Sequence, residues 1–246
     1  MSEVPFLLLP GLMCDRAAWS DAIAALPAGP GAVVADYGEA DSLAAMAERA
    51  LAAAPPRFAA AGHSMGGRVA LEIFRRAPER VAGLALLDTN YTPRAAGEAG
   101  AREKRERMAL LAIARRSGTR AMAESWVKGM VHPGRLADAA LIGAILDMFA
   151  RKSADVFEAQ IRALLARPDA APLLAAVRCP ALVLCGREDS WAPAVRHEEM
   201  AAMIAGSEIV LVGQCGHMAP MERPREVAAA LARWHARIVA RRAAAA

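Results

Sequence analysis

The chain has 246 residues, 56% of them hydrophobic and 23% charged, which is an ordinary globular profile with room for one large α/β domain or two small ones. Aromatic residues make up only 4%, which argues against a stacking surface for nucleic acid. The net charge of +4 is a mild excess, scattered and often next to acidic residues; it reads as solvated helix faces rather than a nucleic-acid or membrane patch.

The first apolar run, residues 4–9, is short and stops at Pro10-Gly11. It lacks the basic start of a signal peptide and reads as a strand buried on both faces, as in a parallel sheet. A helix is predicted over 17–26 and a second strand over 33–35. Ser42 is placed to cap a helix running to residue 53, where Pro55-Pro56 stop it. Residues 58–61 form a third strand leading into Gly62-His63-Ser64-Met65-Gly66-Gly67, and a helix follows to Ala77. Residues 81–87 make a fourth strand. This rhythm predicts a parallel sheet with helices on both faces.

The alternation then stops. Residues 92–177 show only helical periodicity, in about four segments broken near Gly118, Gly129, Pro133-Gly134 and Arg167-Pro168. Within 102–116, Met108, Leu111 and Ala112 fall on one face, and Glu103 and Arg107 have the spacing of an i,i+4 pair. Strands resume at 181–185 and 209–212, with a helix from Pro193 to about Gly206 between them. A last helix from Pro224 carries Val227, Ala230, Leu231 and Trp234 at core spacing, and the alanine-rich tail beyond Arg241 is expected to fray. No segment approaches the ~20 apolar residues of a membrane span. Cys14, Cys179, Cys185 and Cys215 have no disulfide or zinc spacing. Free thiols and a cytoplasmic location are expected.

Three features point to chemistry. Gly62-x-Ser64-x-Gly66 lies between a predicted strand and helix, where a sharp turn lifts a nucleophile clear of the sheet. A serine hydroxyl needs a base. Of the five histidines, His63 must point away across the turn, while His132, His197 and His235 read as surface or packing residues. His217 sits just beyond the last strand, at the end where ligands bind to parallel sheets. An acid must hold that imidazole in one tautomer. Asp189 follows the strand at 181–185, with Asp88 and Glu188 as rivals. For a developing oxyanion, the Met65 amide and an amide after the first strand, Leu12 or its rival Met13, are available by position.

Together Leu9-Pro10-Gly11-Leu12, Gly62-His63-Ser64-Met65-Gly66-Gly67, Gly186-x-x-Asp189-x-x-x-Pro193 and Gly216-His217 with Glu222-x-Pro224 resemble the α/β-hydrolase superfamily over nearly the whole chain. The resemblance implies a triad of Ser64, Asp189 and His217, a helical cap built from 92–177 on a core of 1–91 and 178–246, and neither metal nor organic cofactor. Two departures stand out: Pro10-Gly11 replaces the His-Gly of many relatives, and no antiparallel strand pair precedes the first strand. A six-stranded, all-parallel sheet with helices on both faces and a helical cap inserted after the fourth strand is therefore predicted.

The expected activity is hydrolysis of small or medium apolar esters. Trp126, Met130, Phe149 and Trp191 are candidate walls of a mostly apolar pocket. Carbon–carbon hydrolysis, lactone opening, cofactor-free perhydrolysis and non-catalytic ligand binding are the alternatives. Arg102, Lys104, Arg105, Arg107, Arg115, Arg116 and Arg120 in the cap read as a solvated face, with steering of an acidic substrate or acyl carrier as the rival. Neither nucleic acid nor membrane is an expected partner, and a monomer or homodimer is expected.

Overall fold

The computed structural model describes residues 4–244. Six strands form one sheet: β1 (Phe6–Leu9), β2 (Ala32–Val34), β3 (Phe58–His63), β4 (Val81–Leu87), β5 (Ala181–Gly186) and β6 (Glu208–Val212). Their order is β2-β1-β3-β4-β5-β6, and every neighbouring pair is parallel. The chain runs outward from β1 to β2, then returns to place β3 on the other side of β1. That reversal leaves a crevice at the C-terminal ends of β1 and β3, so the loop after each of those strands opens into it.

Burial explains the composition of the strands. Every residue of β1, β3, β4 and β5 is buried, while β2 and β6 at the edges are only partly covered. β1 is shorter than residues 4–9. It begins at Phe6 because Pro5 has no N–H to give a central ladder; the Pro5 carbonyl still accepts from the Ala59 N–H at 2.9 Å. β3 runs on through His63, directly into the turn that carries Ser64.

Helices α1 (Ala17–Ala24), α2 (Leu43–Ala53), α3 (Met65–Arg76), α8 (Ala194–Met203), α9 (Ala219–Glu222) and α10 (Pro224–Ala244) accompany the sheet. The Ser42 hydroxyl caps α2 by accepting from the Ala45 N–H. In α10, Val227, Ala230, Leu231 and Trp234 are buried as the spacing predicts, and the indole N–H of Trp234 donates to the Pro180 carbonyl at 2.9 Å. The expected fraying beyond Arg241 is not seen: α10 stays helical through Ala244, the last described residue.

Between β4 and β5 lie α4 (Gly97–Trp126), α5 (Ala139–Ala150), α6 (Ala154–Leu165) and α7 (Ala171–Ala176), the helical cap. α4 kinks at Gly118, whose φ of 88° interrupts the helical backbone. Its buried face is Leu111 and Ala114, whereas Met108 is 42% exposed and Ala112 also faces solvent, correcting the expected apolar stripe. Among the described residues, no helix is long and apolar enough to cross a membrane.

Gly66 makes one of the tightest backbone approaches in the fold. A Cβ there would lie 1.9 Å from the Leu9 carbonyl oxygen, and one at Gly62 would lie 2.2 Å from the Gly66 oxygen. Both obstacles are backbone and cannot swing aside. Gly66→Ala is expected to cost about 4 kcal/mol or more. At this chain length that lowers Tm by roughly 10 °C, which differential scanning calorimetry would measure; an unchanged Tm would contradict the tight turn.

Candidate active site

Ser64 sits between β3 and α3 with φ 54° and ψ −118°, a region that costs a non-glycine residue about 1–3 kcal/mol. Its surroundings hold it there. The Ser64 N–H donates to the Leu87 carbonyl at 2.8 Å, while its own carbonyl accepts from the Gly67 N–H at 3.0 Å and the Thr89 hydroxyl at 2.6 Å. The strain points the hydroxyl out of the sheet, at the mouth of the crevice.

The loop after β6 brings His217 to the same place. Glu222, buried at the end of α9, accepts from the N–H groups of Gly216 and Met218 on one oxygen and of His132 on the other. Glu188 accepts from the Cys215 N–H. His217 itself is gripped through its backbone: its N–H donates to the Met130 carbonyl, and its carbonyl accepts from His63 Nε2, both at 2.7 Å. Gly186 and Gly216 let this loop lie against β5 and the cap; a Cβ on Gly186 would meet the Gly216 oxygen at 2.1 Å.

So fixed, His217 Nε2 lies 2.8 Å from Ser64 Oγ, and His217 Nδ1 lies 2.8 Å from Asp189 Oδ2. The other Asp189 oxygen accepts from the Trp191 N–H at 2.8 Å and the Ala192 N–H at 3.0 Å. Burial works against charge on Asp189. The neighbouring imidazole and the three hydrogen bonds outweigh it and hold the carboxyl below its ordinary range.

The rivals have other partners. Asp88 accepts from the N–H groups of Gly186 and Ala219, and its nearest imidazole contact is His63 Nε2 at 3.6 Å. Burial and the charge of Asp189 push its carboxyl well above the usual value. Met13 adopts a positive φ of 61°, and its N–H is taken by the Gln160 side chain at 2.8 Å. Among the described residues, the N–H groups of Leu12 and Met65 have no such partner. Both residues line the same cavity as Ser64, and Met65 opens α3, where the first amides have no intrahelical acceptor.

That cavity has a volume of about 440 Å³. All four expected wall residues line it. Trp126 and Trp191 stack with ring centroids 5.0 Å apart, Trp191 lies 4.9 Å from the His217 ring, and Met130 and Phe149 are fully buried beside them. The lining is mostly apolar, as expected, but it also carries charged residues. Arg68, Glu103, Arg107 and Arg167 also face the cavity.

Residues 6–230 match the model of a family described as the alpha/beta hydrolase family. The chain belongs to that family. No curated protein matches the sequence. Solved structures similar to this α/β hydrolase include a thermophilic esterase from Thermogutta terrifontis, at 27% identity and TM-score 0.85, covering 96% of this chain and 91% of that one. The enol-lactonase from Burkholderia xenovorans LB400, at 20% identity and TM-score 0.78 with 94% and 91% covered, shares the fold. So does a structure from a study of carboxylesterases of Nitrososphaera gargenis, at 17% identity and TM-score 0.81 with 96% and 91% covered.

The remaining histidines of this α/β hydrolase are structural in their contacts. His197 accepts from the Thr89 N–H, His235 bonds the Val4 carbonyl, and His132 accepts from the Gly134 N–H. His63 was legible only as a neighbour of Ser64; its bond to the His217 carbonyl makes it a brace. Of the cap cations, Arg102, Arg105, Arg115 and Arg120 are paired with carboxylates at the surface, which takes up much of their charge.

Burial lowers His63 to about 3, helped by the charge of His217, and burial lowers His197 to about 4. Each stays neutral in the fold at a pH where the unfolded chain, with a histidine pKa near 6.5, has bound a proton. Their contribution to stability is therefore complete above about pH 6.5 and is lost as pH falls toward about 4 for His197 and about 3 for His63. Each histidine is expected to contribute roughly 3 kcal/mol to that loss. Urea unfolding at pH 7.5 and pH 4.5 would measure it, and equal midpoints would contradict neutral burial.

Proposed function

We propose that this α/β hydrolase is a serine esterase working through an acyl-enzyme, with residues 92–177 as a lid over a core of 1–91 and 178–246. The observation that carries the reading is the unbroken chain Asp189–His217–Ser64, with 2.8 Å at each link. The Asp189 carboxylate accepts a hydrogen bond from Nδ1–H, which leaves Nε2 bare and facing the serine hydroxyl. Ser64 attacks the ester carbonyl as His217 takes its proton. The Leu12 and Met65 amides receive the oxyanion. His217 then protonates the departing alcohol, and water activated by the same imidazole releases the acid.

Trp126 and Trp191, stacked beside His217, shape the region next to the reacting carbonyl. A single experiment tests the whole reading. A p-nitrophenyl ester panel of increasing chain length should be turned over, and a fluorophosphonate should stop turnover while adding its mass to the peptide that contains Ser64. Turnover that survives complete labelling would refute the assignment.

A further inference from the structure

The cavity lining carries more arginine than its glutamates neutralise. Arg68 lies four residues beyond Ser64, one turn along α3 and on the same side of the helix. It faces the cavity and donates to the Thr92 carbonyl at 3.0 Å. Among the described residues, that is its one hydrogen bond, and no carboxylate lies within 4.0 Å of it. A guanidinium has five N–H donors.

The neighbouring charges do not supply the missing acceptor. Glu103 is shared between two arginines: Arg107 Nε reaches it at 3.0 Å, and both terminal nitrogens of Arg167 reach it at 2.7 and 2.8 Å. Glu106 also borders the cavity, but its carboxylate is 69% exposed and leans toward Arg102. Arg167 Nε is buried without a partner. Burial and the charge of Arg167 draw Arg68 down to about 9, so it remains a cation at neutral pH. Three arginines thus share the wall with two glutamates, of which Glu103 is doubly engaged and Glu106 is mostly exposed. An apolar substrate filling this space would strip water from the surplus charge and return nothing for it.

We infer that the substrate carries a carboxylate of its own, held by Arg68 with Arg167 beside it, a short spacer away from the ester carbonyl at Ser64. Arg68 stands one turn along α3 from Ser64 and both line the same cavity of about 440 Å³, which confines the carboxylate to a short distance from the ester carbonyl. A planar carboxylate suits the fork of a guanidinium, which offers two parallel N–H bonds. The class is then half-esters of short dicarboxylic acids, rather than long-chain or wholly apolar esters. This deepens the esterase reading and takes its chemistry from it, but the binding it requires is separable from turnover.

Glutarate, which has no ester to cleave, is the binding probe. Calorimetric titration should give a Kd at least tenfold weaker for Arg68→Gln than for the wild type, with Arg68→Lys between them because it keeps the charge but not the fork. In parallel, the wild type should prefer p-nitrophenyl hydrogen glutarate over its methyl ester at least tenfold in kcat/KM, and Arg68→Gln should erase that ratio. Glutarate affinity that does not depend on residue 68, or is absent from the wild type, overturns the inference whether or not esters are cleaved. Residue-68-dependent glutarate binding without ester turnover would uphold the carboxylate site at Arg68 and sink the esterase reading. Should Arg68→Gln not fold, the lysine variant carries the same comparison.

Discussion

Ser64→Ala is expected to reduce ester turnover by roughly four to six orders of magnitude and to leave the fold intact. The oxygen removed is the atom that would form the bond to the acyl group. No neighbour replaces it: His217 Nε2 is 2.8 Å from that oxygen and is already committed through Nδ1 to Asp189. The backbone bonds that hold residue 64 in its strained conformation involve its N–H and carbonyl, not its hydroxyl, so they survive the substitution. Tm should therefore stay within a few degrees while kcat collapses. A fluorophosphonate should label the wild type and not the variant. Substantial turnover by a well-folded Ser64→Ala protein would mean that the nucleophile lies elsewhere.

The residues that chain order makes legible are those at the strand ends. Ser64, Asp189 and His217 each follow a strand of a parallel sheet, and such strands end at one rim; three positions far apart in sequence can be read as neighbours on topology alone. Their supports are harder to read. Glu222 belongs to a recognisable motif, yet its work is to accept from Gly216, Met218 and His132, and the last is a contact between core and cap that no periodicity announces. The same holds for the charged wall. Arg68 has a local signal, four residues from the serine, but Arg167 meets Glu103 across 64 positions.

In α4 the reading held only in part: Leu111 is buried and the Glu103–Arg107 pair forms, but Met108 and Ala112 turn outward. A helix pattern separates two faces and leaves open which one turns inward. The apolar-inward rule exposes Glu103 and Arg107 and buries Met108. Here the charged pair faces the cavity, with side chains 24% and 22% exposed, while Met108 is 42% exposed. Arg167, arriving from the end of the cap, makes the inward charges tolerable by bonding Glu103. Glu103 is held at about 2: burial raises it, but the Arg167 hydrogen bond and the charges of Arg107 and Arg167 prevail. A charged network that hydrogen-bonds within itself can override the pattern.

Asp189→Asn should be nearly as damaging as loss of the nucleophile, by a different route. The amide is the same size as the carboxylate, and its oxygen can still accept from the Trp191 and Ala192 N–H groups. That leaves its NH₂ directed at His217 Nδ1, 2.8 Å away in the parent. The imidazole must then accept at Nδ1 and carry its proton on Nε2, the nitrogen that faces Ser64. A base already protonated on its working face cannot take the serine proton, and the cation that forms during attack has lost its counter-charge. If the triad works as proposed, kcat should fall about 10⁴-fold, as the same change does in a serine-protease triad, with little change in KM or Tm. Slow labelling of Ser64 by a fluorophosphonate should persist, because the nucleophile is still present. A variant that retains most of its turnover would show that Asp189 does not set the tautomer, and Asp88, buried and bonded to Gly186 and Ala219, would be the next carboxylate to replace.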